Sequence, residues 1–338
     1  MERLPPEDYR AFREGAAVLD RSGARARIAV TGADRLSYLN AMLTNDVAGL
    51  APGTGRYAAY LTPQGRMIAD MRVLELGDLA LVDLDTSVAD AVRAKLEQFV
   101  FAEDVQFSDL SASLGAPAVF GPRASAIIAA VLEGVTAETL SALPEHHSAR
   151  AAYLGHAVVV ASTRELGVAG FDLYVDRAQA APLIASAVAA GARQAGEAAA
   201  ETVRIEAGRP RFGADMDEHT IPLEAGLEER AISYTKGCFP GQEVIVRVRD
   251  RGHGKVARKL VGLTFEREEV PASGDPVTVN GKEMGRVTSA AFSPATGAAI
   301  ALAYVARDYA NSGQAVTVSR GGEAMEARVS DLPFGAAS

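Results

Sequence analysis

The sequence has a single cysteine, Cys238, and no tryptophan among its 338 residues. One thiol cannot form an intramolecular disulfide, and a metal cage built from cysteines would need a second molecule. For the same reason we do not expect one chain to hold an iron–sulfur cluster stably, while transient or shared ligation stays open. We therefore expect no metal site. Whether the lone thiol of Cys238 is chemically reactive is a separate question.

The sequence also lacks the features of membrane proteins, nucleic-acid-binding proteins and nucleotide-binding enzymes. No apolar run is long enough to cross a bilayer, and the N-terminus lacks the apolar core of a signal peptide, which predicts a cytoplasmic protein without membrane contact. The formal net charge of −9 argues against stable nucleic-acid binding. A basic run from Arg247 to Lys259 is either a solvated face or a local anion site. Neither a phosphate-cradling Gly-x-x-x-x-Gly-Lys loop nor a dinucleotide-binding glycine fingerprint occurs.

The hydrophobic pattern predicts a folded protein with an α+β arrangement. Hydrophobic residues make up 48% and charged residues 23% of a chain long enough for two or three domains. Predicted strands and helices do not alternate strictly, which argues against a doubly wound parallel sheet. The strands are expected at 27–32, 57–61, 67–76, 79–84, 157–161 and 171–176, and the helices at 34–45, 88–99, 177–190 and 198–207.

The pattern of predicted secondary structure changes near residue 253. Short strand-like runs follow, separated by turn dipeptides such as Asn280-Gly281 and Ser312-Gly313. A separate all-β domain is therefore expected at 255–338, after a first region at 1–250.

One segment, 234–247, concentrates residues suited to a polar ligand. Two glycines surround a Cys-Phe-Pro turn, where backbone can approach a ligand closely, and cations and acceptors flank it. The candidates are Lys236, Cys238, Gln242, Glu243 and Arg247. A Gly/Pro turn with a buried, inert cysteine explains the same residues equally well.

The order Lys-Gly-Cys-aromatic-x-Gly-Gln-Glu followed by Arg resembles the diagnostic motif of the YgfZ family, a branch of the glycine-cleavage T-protein superfamily. Further segments match that superfamily in the same order, namely 39–47, 64–66, 204–213, 215–219 and 222–224. The resemblance implies a ring of three lobes around a central folate site. Two interleaved α+β lobes would be followed by a C-terminal β-barrel.

The resemblance to YgfZ proteins implies binding of tetrahydrofolate or a one-carbon derivative. The chain would then be an accessory protein that supports assembly or repair of iron–sulfur enzymes, including tRNA-modifying ones, with iron–sulfur client or assembly proteins as partners. Cys238 would be its reactive group. Lys236, Gln242, Glu243 and Arg247 would lie at the folate site.

Two carboxylates are expected to contact the pterin. The pterin presents an N–H and an amino group side by side, which one carboxylate can accept together. The T-protein branch has an acid pair where this chain has Ala69-Asp70, and a second pterin-contacting acid at the place of Asp172. Asp172 is the first candidate and Asp70 the second.

Two enzymatic functions are the alternatives. Aminomethyl transfer to tetrahydrofolate, as in the T-protein, has against it the missing acid at Ala69 and a missing tail-contacting arginine near Ala200. A thiol hydrolase would use Cys238 with His253 as base, but the cysteine lies one place off a nucleophile elbow. The hydrolase ranks last.

Overall fold

The computed structural model describes residues 4–251 and 255–335. Strands dominate the fold. In chain order they are β1 Ala17–Asp20, β2 Arg25–Thr31, β3 Gly55–Leu61, β4 Met67–Glu75, β5 Ala80–Asp85, β6 Gln106–Asp109, β7 Leu114–Gly115, β8 Pro117–Phe120, β9 Ser148–Tyr153, β10 His156–Thr163, β11 Gly170–Asp176, β12 Arg193–Gln194, β13 Arg258–Phe265, β14 Pro276–Val279, β15 Lys282–Ser293, β16 Ala298–Ala306, β17 Ala315–Arg320 and β18 Glu323–Ser330.

The α-helices of the described residues are mostly short and lie in the first three-quarters of the chain. They are α1 Pro6–Glu14, α2 Arg35–Met42, α3 Ala89–Glu97, α4 Ala124–Val131, α5 Ala137–Ser141, α6 Arg177–Ala189, α7 Glu197–Glu206, α8 Glu228–Ala231 and α9 Gln242–Val246. Within the described ranges no helix combines the length and apolar character needed to cross a membrane.

Two sheets interleave along the chain. One sheet has the order β3-β4-β5-β2-β6, and the other β12-β1-β8-β11-β10-β9, with β7 paired to β11. The chain thus starts in the second sheet with β1 and forms the first sheet with β2 to β6. It then returns to the second sheet with β7 to β12. Each sheet has its own apolar core, the first with α2 and α3 and the second with α4 and α6. The predicted pair of interleaved α+β lobes is confirmed.

The third lobe is a closed barrel of strand order β13-β16-β15-β14-β17-β18. Along β13, Val261, Leu263 and Phe265 are buried in the barrel core, as the two-residue period of a strand requires. Helix α7 joins the barrel to the lobes, because Ile205 packs with Ile300 and Leu302. The predicted C-terminal barrel is confirmed. The predicted boundary falls at 251–254, largely outside the described residues, and stays a prediction.

Candidate functional site

A recess lies between the two α+β lobes. Its free volume is about 30 Å³, enough for about two water molecules. Four parts of the chain line it: strands of the first lobe, the loop before β9 with the end of β10 in the second lobe, the segment that follows α7, and α8. The lining residues are Arg25, Tyr57, Asp70, Arg72, Asp85, Glu145, His146, Thr163, Glu165, Arg209, Pro210, Arg211, Phe212 and Arg230.

Strand β4 carries a carboxylate into this recess. Ala69 and Met71 are buried in the core beneath α2 and α3, so the intervening Asp70 and the next residue but one, Arg72, face the second lobe. The Tyr57 hydroxyl donates to Asp70 Oδ2 at 2.6 Å. Burial raises the pKa of Asp70 above its usual range, although the Tyr57 hydrogen bond opposes the shift. Burial and Asp70 together raise the pKa of Tyr57 well above its usual value, so the phenol remains a donor.

Asp172, the other predicted pterin contact, lies behind the recess wall. It is 1% exposed, and it is not among the residues that line the recess. Its Oδ1 accepts from Arg21 Nη1 at 3.0 Å, and its Oδ2 lies 2.7 Å from Arg72 Nη2. The carboxylate is therefore used to hold two buried arginines in place.

Glu165 is one of two carboxylates that the second lobe contributes to the recess, the other being Glu145. Arg21 Nη2 donates to its Oε2 at 2.8 Å, and Arg25 lies 3.7 Å from its Oε1. Burial opposes ionisation of Glu165, but Arg21, Arg25 and Arg72 outweigh it and hold the pKa at about 2. Among the four carboxylates that line the recess, Glu165 is held firmly ionised, and burial makes Asp70 hold its proton more tightly.

The motif residues from Lys236 to Arg247 lie away from the recess, and none of them lines it. The Lys236 ammonium donates to the carbonyl oxygens of Asn40 and Leu43 at the end of α2, where four carbonyls lack helical partners. Burial lowers the pKa of Lys236 to about 8. Cys238, Glu243 and Arg247 are exposed, and Gln242 is half-buried at the start of α9.

Gly241 of this motif packs directly against the turn between β3 and β4. Gly241 has φ +81°, and a Cβ there would lie 2.6 Å from the Thr62 carbonyl oxygen and 2.8 Å from Gly65 Cα. Backbone meets backbone at this contact. The motif thus packs against the turn that leads into the strand of Asp70.

Several recess residues were not predicted. His146 is one of them, and its ring stacks on Tyr57 with centroids 6.2 Å apart and an angle of 19°. Burial, with Arg72 and Arg230 nearby, lowers the pKa of His146 to about 3, so the imidazole is neutral. Arg209 lies in a segment matched by family order alone, and no local signal marks it as a ligand contact. Arg72 could have been predicted to line the recess, because in a strand it lies on the same face as Asp70, two residues earlier.

Comparisons with known proteins agree with this architecture. Residues 2–236 match the family described as the GCVT N-terminal domain, and residues 258–335 match the glycine cleavage T-protein C-terminal barrel domain. The chain belongs to the glycine cleavage T-protein family. Aminomethyltransferases from Nostoc sp. and Bacillus subtilis are 31% and 30% identical to it, each over 97% of this chain, covering 86% and 90% of their own lengths. An aminomethyltransferase from Rubrobacter xylanophilus is 32% identical over 97% of this chain and 85% of its own.

A solved structure extends the match to three dimensions. The glycine cleavage system aminomethyltransferase T from Bartonella henselae superposes with a TM-score of 0.84 at 23% identity, covering 97% of this chain and 88% of that one. At this identity the similarity shows the fold alone.

These findings correct the functional prediction. The superfamily is confirmed, but the similar curated proteins are named aminomethyltransferase, and they match nearly the whole chain. The prediction of an accessory protein for iron–sulfur and tRNA-modifying enzymes is therefore wrong, and the alternative of aminomethyl transfer is favoured. A physical reason for the error is visible at Lys236 and Gly241, whose residue types are accounted for by a helix cap and a close backbone contact. The base predicted for a thiol hydrolase, His253, lies outside the described residues.

Proposed function

We propose that this chain is a tetrahydrofolate-dependent aminomethyltransferase whose reaction takes place in the recess between the two α+β lobes. The observation that carries the proposal is the Asp70 carboxyl group, half-buried in that recess and fixed by the Tyr57 hydroxyl at 2.6 Å. Independent support comes from the similar proteins, which are named aminomethyltransferases.

The side chains that line the recess are of the types that a folate needs, and they must move apart from the present free volume of about 30 Å³ to admit it. Tyr57 and His146 form a stacked aromatic pair on one wall, and a flat ring can pack against such a wall. The glutamate tail of a folate needs cations, and Arg209, Arg211 and Arg230 supply them at the recess. Those three arginines offset the absence of an arginine near Ala200, which is buried in α7 and has no charge to offer.

In this proposal Asp70 holds and moves a proton. When bound, tetrahydrofolate supplies the amine nitrogen that receives the one-carbon unit. The Tyr57 hydrogen bond fixes the orientation of the Asp70 carboxyl, and burial raises its pKa toward the pH at which it can exchange a proton. Because the neighbouring position is Ala69, the recess has one such acid at this place, and Asp70 alone orients the amine and exchanges its proton.

The test separates binding from transfer. Asp70→Asn keeps size and removes the titrating group, so transfer of a labelled carbon from an aminomethyl donor to tetrahydrofolate should slow by about 100-fold or more. Tetrahydrofolate affinity, measured by calorimetry, should change by less than about tenfold. Asp78→Asn, on an exposed turn, is the control and should leave both unchanged. Full transfer activity in Asp70→Asn, or no transfer by the unsubstituted chain, would refute the proposal.

A further inference from the structure

A second cavity, much larger than the recess, lies between the first lobe and the barrel. Its free volume is about 770 Å³, which is within the range of small-molecule sites. The turn between β3 and β4, the segment 213–224 and the barrel strands β13, β15 and β16 line it. No described residue lines both cavities. We call this second cavity the barrel groove.

Two arginines from distant parts of the chain meet at one carbonyl oxygen in the barrel groove. Arg66, in the turn before β4, donates through Nη1 to the carbonyl oxygen of His219. Nη2 of Arg258, on β13, lies 3.5 Å from the same oxygen. The Arg258 guanidinium also lies over the Tyr304 ring, 4.4 Å from its centroid, and its Nε donates to Glu224 Oε2 at 3.0 Å. The two guanidinium groups are therefore neighbours, and that of Arg258 is held in a fixed orientation.

The carboxylates that line the barrel groove do not balance both of these charges. Three of the four pair with arginines: Glu224 with Arg258, Glu283 with Arg286, and the buried Asp215 with Arg204. The fourth, Asp217, accepts from the His219 N–H and the Thr220 hydroxyl through Oδ1, within its own turn. Within the part of the chain that the structure describes, Arg66 forms no ion pair, and its partner is a neutral carbonyl oxygen. One positive charge beside the His219 oxygen is therefore unbalanced.

An oxyanion is the ligand that this arrangement favours. Neighbouring guanidinium groups repel each other, and an anion bound between them offsets the repulsion. Carboxylate and phosphate groups present paired oxygens, which the N–H groups of a guanidinium bind two at a time. Arg286 lines the same groove and adds a third guanidinium. The whole chain carries a net charge of −9, so attraction of an anion must come from this local arrangement.

We propose that the barrel groove is a second ligand site, in which Arg66 and Arg258 hold a small molecule by its carboxylate or phosphate group. Arg258 belongs to the basic run that begins at Arg247, for which the sequence left open a solvated face or a local anion site. At Arg258 the anion site applies. This site shares no described residue with the recess, so it does not depend on the proposed function.

The experiment measures binding of pyrophosphate and of citrate to the full chain by calorimetry, at constant ionic strength. We expect saturable binding of at least one of them, with one site per chain. Arg66→Gln and Arg258→Gln each remove one guanidinium and should each weaken this binding at least tenfold. Arg320→Gln is the matched control, because Arg320 also lies on the barrel, with 42% of its side chain exposed against 39% for Arg258, but outside the groove. Its affinity should stay within twofold of the unsubstituted chain.

Each outcome supports or overturns the site. Tighter binding of pyrophosphate assigns a phosphate ligand, and tighter binding of citrate assigns a carboxylate ligand. Because Arg258 also holds Glu224, Arg66→Gln, at an exposed position, decides the question if Arg258→Gln does not fold. Equal losses in Arg66→Gln and Arg320→Gln would mean that the anions bind by general attraction, and the proposal would be wrong. It would also be wrong if neither anion binds saturably, or if Arg66→Gln leaves the affinity unchanged.

Discussion

Replacing Asp83 tests whether the buried charges behind the recess stabilise the two lobes. Asp83 lies on β5 with 1% of its surface exposed. Its Oδ1 accepts from Arg25 Nε at 2.6 Å, and its Oδ2 accepts from Arg72 Nη2 at 3.0 Å and from the Tyr174 hydroxyl. Since Tyr174 belongs to the second lobe and Arg72 to the first, this carboxylate holds the two sheets together. Asp83→Asn keeps the volume and removes the charge.

The expected cost is large because two guanidinium groups each lose one buried counter-charge without regaining water, and only Asp172 beside Arg72 and Glu165 beside Arg25 remain. Removing one partner from a buried ion pair costs about 3–5 kcal/mol, and domains of ordinary size are stable by about 5–15 kcal/mol in total. Urea unfolding at pH 7, followed by far-UV circular dichroism, should therefore show a clearly lowered midpoint. Asp78→Asn is the control: Asp78 meets Arg150 at 3.3 Å but is 74% exposed, so its loss should stay within about 0.5 kcal/mol.

The same variant has a defined pH dependence. Burial opposes ionisation of Asp83, but Arg25, Arg72 and Arg21 outweigh it and hold its pKa below the usual range. A depressed pKa stabilises the fold above the unfolded value of about 4, and that contribution is lost as the pH falls toward the folded value. The difference between Asp83→Asn and the unsubstituted chain should therefore shrink below pH 4. A loss under about 1 kcal/mol at pH 7, or a difference that does not change with pH, would refute this account of the cluster.

Three further predictions concern stability. Lys236→Met should cost about 1–3 kcal/mol in urea unfolding, because the ammonium caps two carbonyls at the end of α2. Gly241→Ala should cost at least about 1 kcal/mol, since its φ is +81° and the added Cβ would meet backbone at 2.6 Å, whereas Gly237→Ala, with open space around it, should cost less. Burial lowers the pKa of His146 to about 3, so the unfolded chain binds the extra proton between pH 3 and 6.5 and stability falls as the pH drops through that window. His146→Asn should flatten this part of the pH profile in thermal melts.

The elements that the sequence predicted have strong local signals. The hairpin of β3 and β4 follows from two extended runs around Thr62–Gly65, and α7 ends, as expected, just before Gly208. Helix α1 was missed because its sequence is mostly polar, with Tyr9 and Phe12 as its large buried apolar residues. Strand β12 has two exposed residues and exists only by pairing with β1, so no local pattern could reveal it.

The candidate site likewise contains residues that the sequence predicted and residues that it could not predict. Asp70 was predicted, since family order and an extended pattern both mark it, and its side chain lines the recess. His146 could not be predicted, because its place depends on how the loop before β9 packs on Tyr57 of the other lobe. The buried role of Asp172 was equally hidden, since it requires Arg21 and Arg72, which lie 151 and 100 residues earlier in the chain, to meet at one point.

The motif around Cys238 shows why residue types alone did not decide the function. A loop that binds a ligand and a loop that seals a turn both need glycines where backbones approach closely, and both use a lysine where carbonyl oxygens or anions gather. At Gly241 the approaching backbone is the β3–β4 turn, and at Lys236 the acceptors are the carbonyls of α2. The atoms that distinguish the two kinds of loop belong to distant segments. They become visible only once the fold has brought those segments together, as it has for the rings of Tyr57 and His146 in the recess.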